Sequence, residues 1–364
     1  MNIIRFSKIL FYTTIVILLF WLIPWSYNFF VARPQKSPFT LYSSVINDFA
    51  ILDKSDKGMI RTDAKGNRYT EAQFDSILPM FYFRQLVSDG RFPDTLNNIA
   101  LTPKRIQTEN FIFRLNPQDV NTKKIPLYPL LESMSGRVDL KMPDDMFRIT
   151  SKEIQFIDMA SNEIDNAKSA LYTEALLKKG FRFPANIISG NPTTRKDYDE
   201  GYLLTDKEGQ LFHFKQVKGR PFVRKIDMPK HISIKHIFLT EFKNRKYHAF
   251  LTDSENKLYA LLTKSYTFQS IPIVSFNPEK ERISIFGNLF DWTINISGEF
   301  KNQYYAIDAK EFKLLKSMEY PLQEETLAEK IDKWMPGISF ISSLLKHSLN
   351  IPHLFRIYQI SFFL

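Results

Sequence analysis

The 364-residue sequence contains no cysteine. This absence excludes disulfide bonds, cysteine-ligated zinc, iron–sulfur clusters and thiol nucleophiles, and with them most redox chemistry. Glycine is scarce, with 12 residues. The glycine-rich loops that bind phosphates or dinucleotides do not occur, nor does the GxSxG turn of serine hydrolases. The sequence therefore predicts no cofactor and no catalytic residue.

Positive charge is in excess without being concentrated. The formal net charge is +10, but 49 basic residues are interleaved with 39 acidic ones. The densest basic runs, 123–124 and 243–246, are too short to line a nucleic-acid groove. We therefore expect no nucleic-acid partner and instead a mildly basic surface facing anionic lipid headgroups.

Aromatic residues are abundant by contrast, with 33 phenylalanines and 16 tyrosines. Aromatic side chains favour strands, and the chain is long enough to bury one large core or two modest ones. The predicted fold class is mainly β. An N-terminal transmembrane helix is followed by a β-propeller-like or irregular β-rich extracytoplasmic domain with a few helices.

The N-terminal segment has the length and composition of a membrane anchor. Residues 9–23 carry no charge, and the stretch 25–32 extends them to the length that spans a bilayer. Three aromatic residues near its far end suit a membrane interface: Trp21, Trp25 and Tyr27. Residues 1–33 are therefore predicted to form a cytoplasmic tip and a transmembrane helix in contact with lipid.

A cleaved signal peptide is the alternative for this segment, because a basic leader precedes a short apolar core. A signal anchor is favoured, since residues 30–32 (FVA) lack the small-x-small cleavage pattern. Arg5, Lys8 and the α-amino group outnumber Arg33 and Lys36 after the span by one charge. The positive-inside rule then places the N-terminus in the cytoplasm and the bulk of the chain outside it.

Three similar units recur within the predicted soluble domain, residues 37–322. Residues 203–214 are echoed by 250–261 and more loosely by 294–307, with spacings close to the period of a four-stranded propeller blade. Each unit has two strand-like segments of alternating apolar and polar residues, joined by a turn that contains Asp, Gly or Asn, as in a β-hairpin. The repeat-like units are about 185–229, 232–275 and 282–320. Weaker echoes at 60–69 and 147–156 would make about five blades.

Other segments of the domain are predicted to be helical or extended. Residues 70–89 and 169–180 have helical spacing, with Pro79 expected to break or kink the first. Residues 91–129 contain five prolines and are predicted to be an extended connection with short strands.

The densest polar stretch, residues 191–201, offers a candidate partner-facing loop. Its site residues are Arg195, Asp197, Asp199 and Glu200. A calcium loop requires oxygen ligands at alternating positions and a distal glutamate, an order that is missing here. The sequence therefore predicts no metal site, and the loop is interpreted as solvated or partner-facing.

Other acids and histidines offer weaker candidates. Asp139, Asp144 and Asp145 are considered as glycosidase carboxylates, but adjacent acids point in different directions. His213 and His248 lie on predicted strands and are interpreted as half-buried packing residues. The six histidines show no metal-ligand spacing: His213, His231, His236, His248, His347 and His353.

The C-terminal segment, residues 323–364, leaves two alternatives open. Residues 323–334 resemble a polar amphipathic helix, and the chain then turns apolar up to Leu364 with interspersed basic residues. A second span would bury charges at a cost of about 2 to 3 kcal/mol each. An amphipathic helix lying on the membrane explains the cations better.

Four segments resemble an uncharacterised family of bacterial membrane-anchored proteins that carry a domain of unknown function. These segments are 37–42 (SPFTLY), 132–145 (ESMSGRVDLKMPDD), 190–195 (GNPTTR) and 288–292 (NLFDW). The resemblance implies a bacterial inner (cytoplasmic) membrane location. It also implies genes near ABC-type transporter components, and it transfers no catalytic residues.

Two functions follow as hypotheses, and a purely structural spacer is a third. The first is a non-enzymatic accessory protein that binds an ABC-type transporter or another envelope membrane protein. The second is an envelope glycan hydrolase with carboxylates converging at a propeller centre. Converging acids in a concave site would favour the enzyme, whereas an exposed apolar patch would favour the interaction protein. The oligomeric state is left open.

Overall fold

The computed structural model describes residues 3–31, 38–55, 58–123, 125–298 and 301–321. The predicted C-terminal segment 323–364 lies outside the described residues. Residues 38–320 form one compact unit, and the N-terminal helix belongs to a separate one.

Helix α1 runs from Ile3 to Val31, and its 29 residues include Pro24. At about 1.5 Å per residue its length exceeds the roughly 30 Å hydrocarbon core of a bilayer. The window Ile3–Phe20 has a mean hydropathy of 1.9 and no buried residue. The helix is therefore long and apolar enough to be a membrane anchor or a signal sequence.

Five antiparallel sheets make up most of the unit 38–320, and their strands confirm the mainly β prediction. Sheet 1 contains β1 (Phe39–Ser43), β2 (Asp48–Ser55) and β3 (Gly58–Asp63). Sheet 2 contains β7 (Asp145–Ile149), β8 (Ile154–Asp158) and β9 (Ile164–Asp165). Sheet 3 contains β10 (Ile187–Gly190), β11 (Tyr202–Thr205), β12 (Leu211–Val217) and β13 (Arg220–Lys225).

The other two sheets follow along the chain. Sheet 4 contains β14 (Ile234–Leu239), β15 (Tyr247–Asp253), β16 (Leu258–Leu262) and β17 (Phe268–Ser270). Sheet 5 contains β18 (Arg282–Gly287), β19 (Asp291–Ser297), β20 (Lys301–Asp308) and β21 (Leu314–Pro321), together with β6 (Phe111–Leu115). Sheets 3, 4 and 5 thus each contain a four-stranded meander, at residues 187–225, 234–270 and 282–321.

An aspartate that closes a tight turn explains three of the five sequence echoes, 60–69, 203–214 and 250–261. One carboxylate oxygen of Asp63, Asp206 and Asp253 accepts from the amides two and four residues later, at 2.9 to 3.0 Å. The residue three positions after each aspartate has a positive φ, which favours Gly or Asn. These residues are Gly66, Gly209 and Asn256. The same physical requirement therefore recurs in sheets 1, 3 and 4.

Neighbouring sheets pack through their buried faces in the order 2, 3, 4, 5, 1. Shared hydrophobic clusters join sheets 2 and 3, sheets 3 and 4, sheets 4 and 5, and sheets 5 and 1. In the third of these clusters, the rings of Phe111, Tyr247, Phe250 and Phe312 lie edge-on to Trp292 with centroids 5.0 to 5.8 Å apart. Such pairs add about 0.5–1.5 kcal/mol each beyond burial.

The segment predicted as one helix at 70–89 forms two helices, α2 (Glu71–Ile77) and α3 (Phe83–Ser88), separated at Pro79. Thr70 caps α2 in a reciprocal pair with Gln73. The helix predicted at 169–180 is α6 (Asn166–Lys178), followed by Gly180 with φ of 83°.

The segment 91–129 is more ordered than the predicted extended connection. It contains the hairpin β4 (Thr95–Leu96) and β5 (Ile99–Ala100), α4 (Pro103–Glu109), β6 and α5 (Pro117–Asn121). Strand β6 pairs with β18 across a long separation in the chain. A Cβ at Gly287 would lie 2.1 Å from a ring carbon of Phe111, so glycine permits the close approach of these strands.

Candidate functional site

The predicted loop at 191–201 connects β10 to β11 and covers one end of sheet 3. Arg195 and Asp197 are exposed, Glu200 is partly buried, and Asp199 is buried. The structure thus divides the four predicted residues between the surface and the interior. A partner-facing role for the loop stays a prediction.

A buried lysine that the sequence did not single out holds this loop. Lys196 Nζ donates to Asp199 Oδ1 at 2.6 Å, to Glu241 Oε1 at 2.7 Å and to the Asn191 carbonyl at 2.7 Å. The three charged side chains are at most 5% exposed. Burial raises the pKa of Glu241, and the bonds from Lys196 oppose that rise. This cluster fixes the loop to the turn after β14.

The backbone of Glu200 is tied to the same cluster, because its amide donates to Glu241 Oε1 at 2.7 Å. Its carboxylate lies with other groups: Oε2 accepts from Lys215 Nζ at 2.8 Å and lies 3.5 Å from His213 Nε2. Glu200 therefore links the loop to strand β12.

His213 is enclosed completely on β12 and has both ring nitrogens bonded. Nε2 lies 2.7 Å from the Glu200 carbonyl oxygen, and Nδ1 lies 2.8 Å from the Tyr266 hydroxyl. Because a carbonyl can only accept, Nε2 carries the proton and Nδ1 accepts from Tyr266. Burial, together with the nearby His248, lowers the pKa of His213 to about 3. The imidazole is therefore neutral.

His248 on β15 of the adjacent sheet faces His213, with ring centroids 4.9 Å apart. It is 2% exposed, and neither ring nitrogen has a well-formed hydrogen bond to any residue that the structure describes. Burial lowers the pKa of His248; Glu200 and the nearby Thr263 carbonyl oppose the effect. Ligand atoms of Glu200, His213 and His248 all lie within 4.8 Å of one another. The predicted half-buried packing role is thus wrong about burial.

A cleft of about 440 Å³ lies beside this group, lined by residues 224–229 and 265–268. The Arg224 guanidinium lies over the Tyr266 ring, 4.2 Å from its centroid. Because the Tyr266 hydroxyl bonds to His213, this tyrosine stands between the cleft and the buried histidines.

A second feature is the 132–144 loop, which begins beside Gln216 of β12 and continues to β7. Glu132 accepts from the amides of Lys218 and Gly219 at 2.6 and 2.8 Å, and the Ser133 hydroxyl donates to Asp199 at 2.6 Å. Burial alone would raise the pKa of Glu132, but the amide bonds outweigh it and lower that pKa. Beyond this fixed start, the loop exposes Met134, Val138 and Met142.

The glycosidase candidates do not converge. Asp139 and Asp144 are exposed, and Asp145 pairs with Lys168 at 2.5 Å. Sequence reasoning missed Lys196, Glu241 and the pairing of His213 with His248, since these residues meet only when sheets 3 and 4 pack. The available signal was a histidine flanked by apolar residues in each of two strands.

A family model described as a domain of unknown function (DUF4857) matches residues 39–307. The match covers sheets 1 to 4 and most of sheet 5. None of the curated proteins matches the sequence well enough to count as a relative.

Several solved structures show weak similarity. PorZ, a surface component of the type-IX secretion system of Porphyromonas gingivalis, is 14% identical with a TM-score of 0.25, over 78% of this chain and 27% of its own. The Cps50 (Swd1) β-propeller domain of Myceliophteria thermophila is 11% identical with a TM-score of 0.28, over 54% and 57%. The WD40 domain of fission-yeast SCAP is 8% identical with a TM-score of 0.28, over 79% and 56%. Similarities this weak say nothing about function.

Proposed function

We propose that this chain, which belongs to the family described as a domain of unknown function (DUF4857), is a membrane-tethered interaction protein without enzymatic activity. Helix α1 anchors it in a bacterial cytoplasmic membrane, and the unit 38–320 lies on the extracytoplasmic side. There the 132–144 loop binds a membrane protein of a transport or envelope system.

The 132–144 loop is the observation that carries this proposal. Val138 is 96% exposed and Met134 is 58% exposed. Single exposed hydrophobic residues are ordinary, but several in one short loop favour a binding surface. The fixed start of the loop at Glu132 lowers the entropy lost on binding.

Membrane tethering is supported by the length and apolar character of α1. The extracytoplasmic side is supported by the absence of cysteine, which tolerates an oxidising compartment. A component of an ABC-type transporter is the partner that the family resemblance suggests.

The glycan hydrolase alternative is less well supported. Glycosidases need two carboxylates that reach substrate, with one of them protonated. Asp199 and Glu241 do converge, but both side chains are 2% exposed and share the ammonium of Lys196. Their geometry suits a structural cluster rather than an acid–base pair.

The absence of native cysteine permits a site-specific test. Val138→Cys introduces a single thiol in the loop. The control Val274→Cys introduces one between β17 and β18, at a valine that is 75% exposed. Each full-length variant carries a thiol-directed photo-crosslinker in native membranes, and captured proteins are identified by mass spectrometry.

The expected result is capture of a transport or envelope membrane protein from position 138 and not from position 274. Equal capture from both positions, or no capture at position 138, would reject the loop as the binding surface. Capture of cytoplasmic proteins would reject the extracytoplasmic placement.

A further inference from the structure

We propose that Glu200, His213 and His248 bind a divalent transition-metal ion of the Zn²⁺ type. This inference goes beyond the interaction function, because the site lies between sheets 3 and 4 and not in the 132–144 loop. It is tested on the isolated protein, so its failure would leave the interaction proposal intact.

The donor set fits such an ion. Two imidazole nitrogens and one carboxylate oxygen are ligands that zinc accepts, and a set of three leaves a fourth position open for water or another ligand. A tetrahedral ion with bonds of about 2.0–2.2 Å keeps its ligand atoms about 3.4 Å apart. Because the present atoms lie within 4.8 Å of one another, closing the site requires side-chain shifts of little more than about 1 Å.

His248 is the independent observation that points to a ligand. A buried polar group without a hydrogen bond costs about 1–3 kcal/mol. Neither ring nitrogen of His248 has a well-formed hydrogen bond among the described residues, and the nearby Thr263 carbonyl can accept from only one of them. The ring faces His213 across the sheet interface and is tilted toward it. A metal bond would satisfy one of these nitrogens.

The surroundings of His213 already supply the outer contacts of a metal ligand. Ligating histidines donate their second ring N–H to a fixed acceptor. If Nε2 of His213 binds the ion, its proton moves to Nδ1. Nδ1–H then donates to the Tyr266 hydroxyl, which lies 2.8 Å away and turns its own proton elsewhere. Tyr266 also borders the cleft.

Lys215 is the group that competes with the ion. Its ammonium lies 2.8 Å from Glu200 Oε2, the oxygen nearest to His213. Binding therefore displaces Lys215 from that oxygen. Removing this cation should strengthen metal binding, whereas removing a ligand should weaken it.

The experiment titrates Zn²⁺ into the full-length protein in mild detergent after chelator treatment, and measures affinity by competition with a chromophoric chelator. One ion per chain is expected. Glu200→Gln and His248→Gln should each weaken binding at least about 100-fold, and Tyr266→Phe about tenfold. Lys215→Gln should tighten binding. His231→Gln, at an exposed histidine, is the matched control and should leave the affinity unchanged.

Two results would overturn the proposal. One is wild-type binding no tighter than that of His248→Gln, and the other is a Lys215→Gln variant that binds more weakly than wild type. If a ligand variant fails to fold, the wild-type protein loaded with Co²⁺ still decides the question. Its visible absorption spectrum should show tetrahedral nitrogen and oxygen ligation, and an octahedral hydrated spectrum would reject the site.

Discussion

The buried carboxyl of Asp291, at the start of β19, makes stability depend on pH. Asn288 Nδ2 donates to its Oδ1 at 3.0 Å, while Oδ2 has no hydrogen-bond partner among the described residues. Burial raises the pKa of Asp291 from 3.8 to about 7; the bond from Asn288 lowers it and the charge of Asp308 raises it. Between pH 3.8 and about 7, Asp291 is therefore protonated in the folded protein and ionised in the unfolded chain.

The direction of the effect follows from this difference. The stabilisation from protonated Asp291 is fully present below pH 3.8 and is lost as pH rises through about 7. At about 1.4 kcal/mol per pKa unit, the whole difference corresponds to about 4 kcal/mol of unfolding free energy. About 3 kcal/mol of it should fall between pH 5 and pH 8.

Asp291→Asn removes the ionisable group and keeps the side-chain shape. The free energy of unfolding of the full-length protein in mild detergent is measured by urea denaturation at pH 5 and at pH 8. The variant should gain about 3 kcal/mol more, relative to wild type, at pH 8 than at pH 5. Asp139→Asn, at an exposed position, is the control, and its free energy of unfolding should change between pH 5 and pH 8 by the same amount as that of wild type. A parallel profile for Asp291→Asn would refute the reasoning.

Three further outcomes are expected. Lys196→Met should lower the unfolding free energy by about 3–5 kcal/mol, because Asp199 and Glu241 lose their shared partner. The control Lys243→Met, in an exposed ion pair, should lower it by less than about 0.5 kcal/mol. Equal losses for the two variants would contradict the buried cluster. Gly287→Ala should cost about 1–3 kcal/mol in the same urea assay, because its Cβ meets Phe111, and an unchanged midpoint would show that the two strands can separate. Finally, the mature protein should retain residues 3–31 by peptide mass spectrometry and resist alkaline carbonate extraction, whereas loss of that segment would identify it as a signal peptide.

The local features of this fold are those that the sequence predicts well. The turn at Asp206, the break at Pro79 and the stop at Gly180 depend on backbone preferences within a few residues. The mainly β class is confirmed, and so is membership of a family described as a domain of unknown function. The bacterial membrane, the topology and the transporter partner remain predictions.

Long-range contacts explain what the sequence could not show. Strand β6 looks like part of a connection because its partner β18 comes much later in the chain. Likewise, His248 meets His213 only because sheets 3 and 4 pack face to face. The sequence predicts that the loop residue Asp199 is solvated or partner-facing, but in the structure its side chain is buried against the ammonium of Lys196. Contacts between residues this far apart in the chain leave no pattern in the local sequence.

The insertion of β6 into sheet 5 also sets the order in which the chain can finish folding. During synthesis β6 emerges roughly 170 residues before β18, which at about 5–20 residues per second is about 10–30 seconds. Through that interval its edge has no native partner and is open to wrong pairing. Once β18 arrives, the early and late parts of the unit are joined in a single sheet. Those amides of β6 that bond to β18 should therefore exchange with solvent only when the whole unit opens.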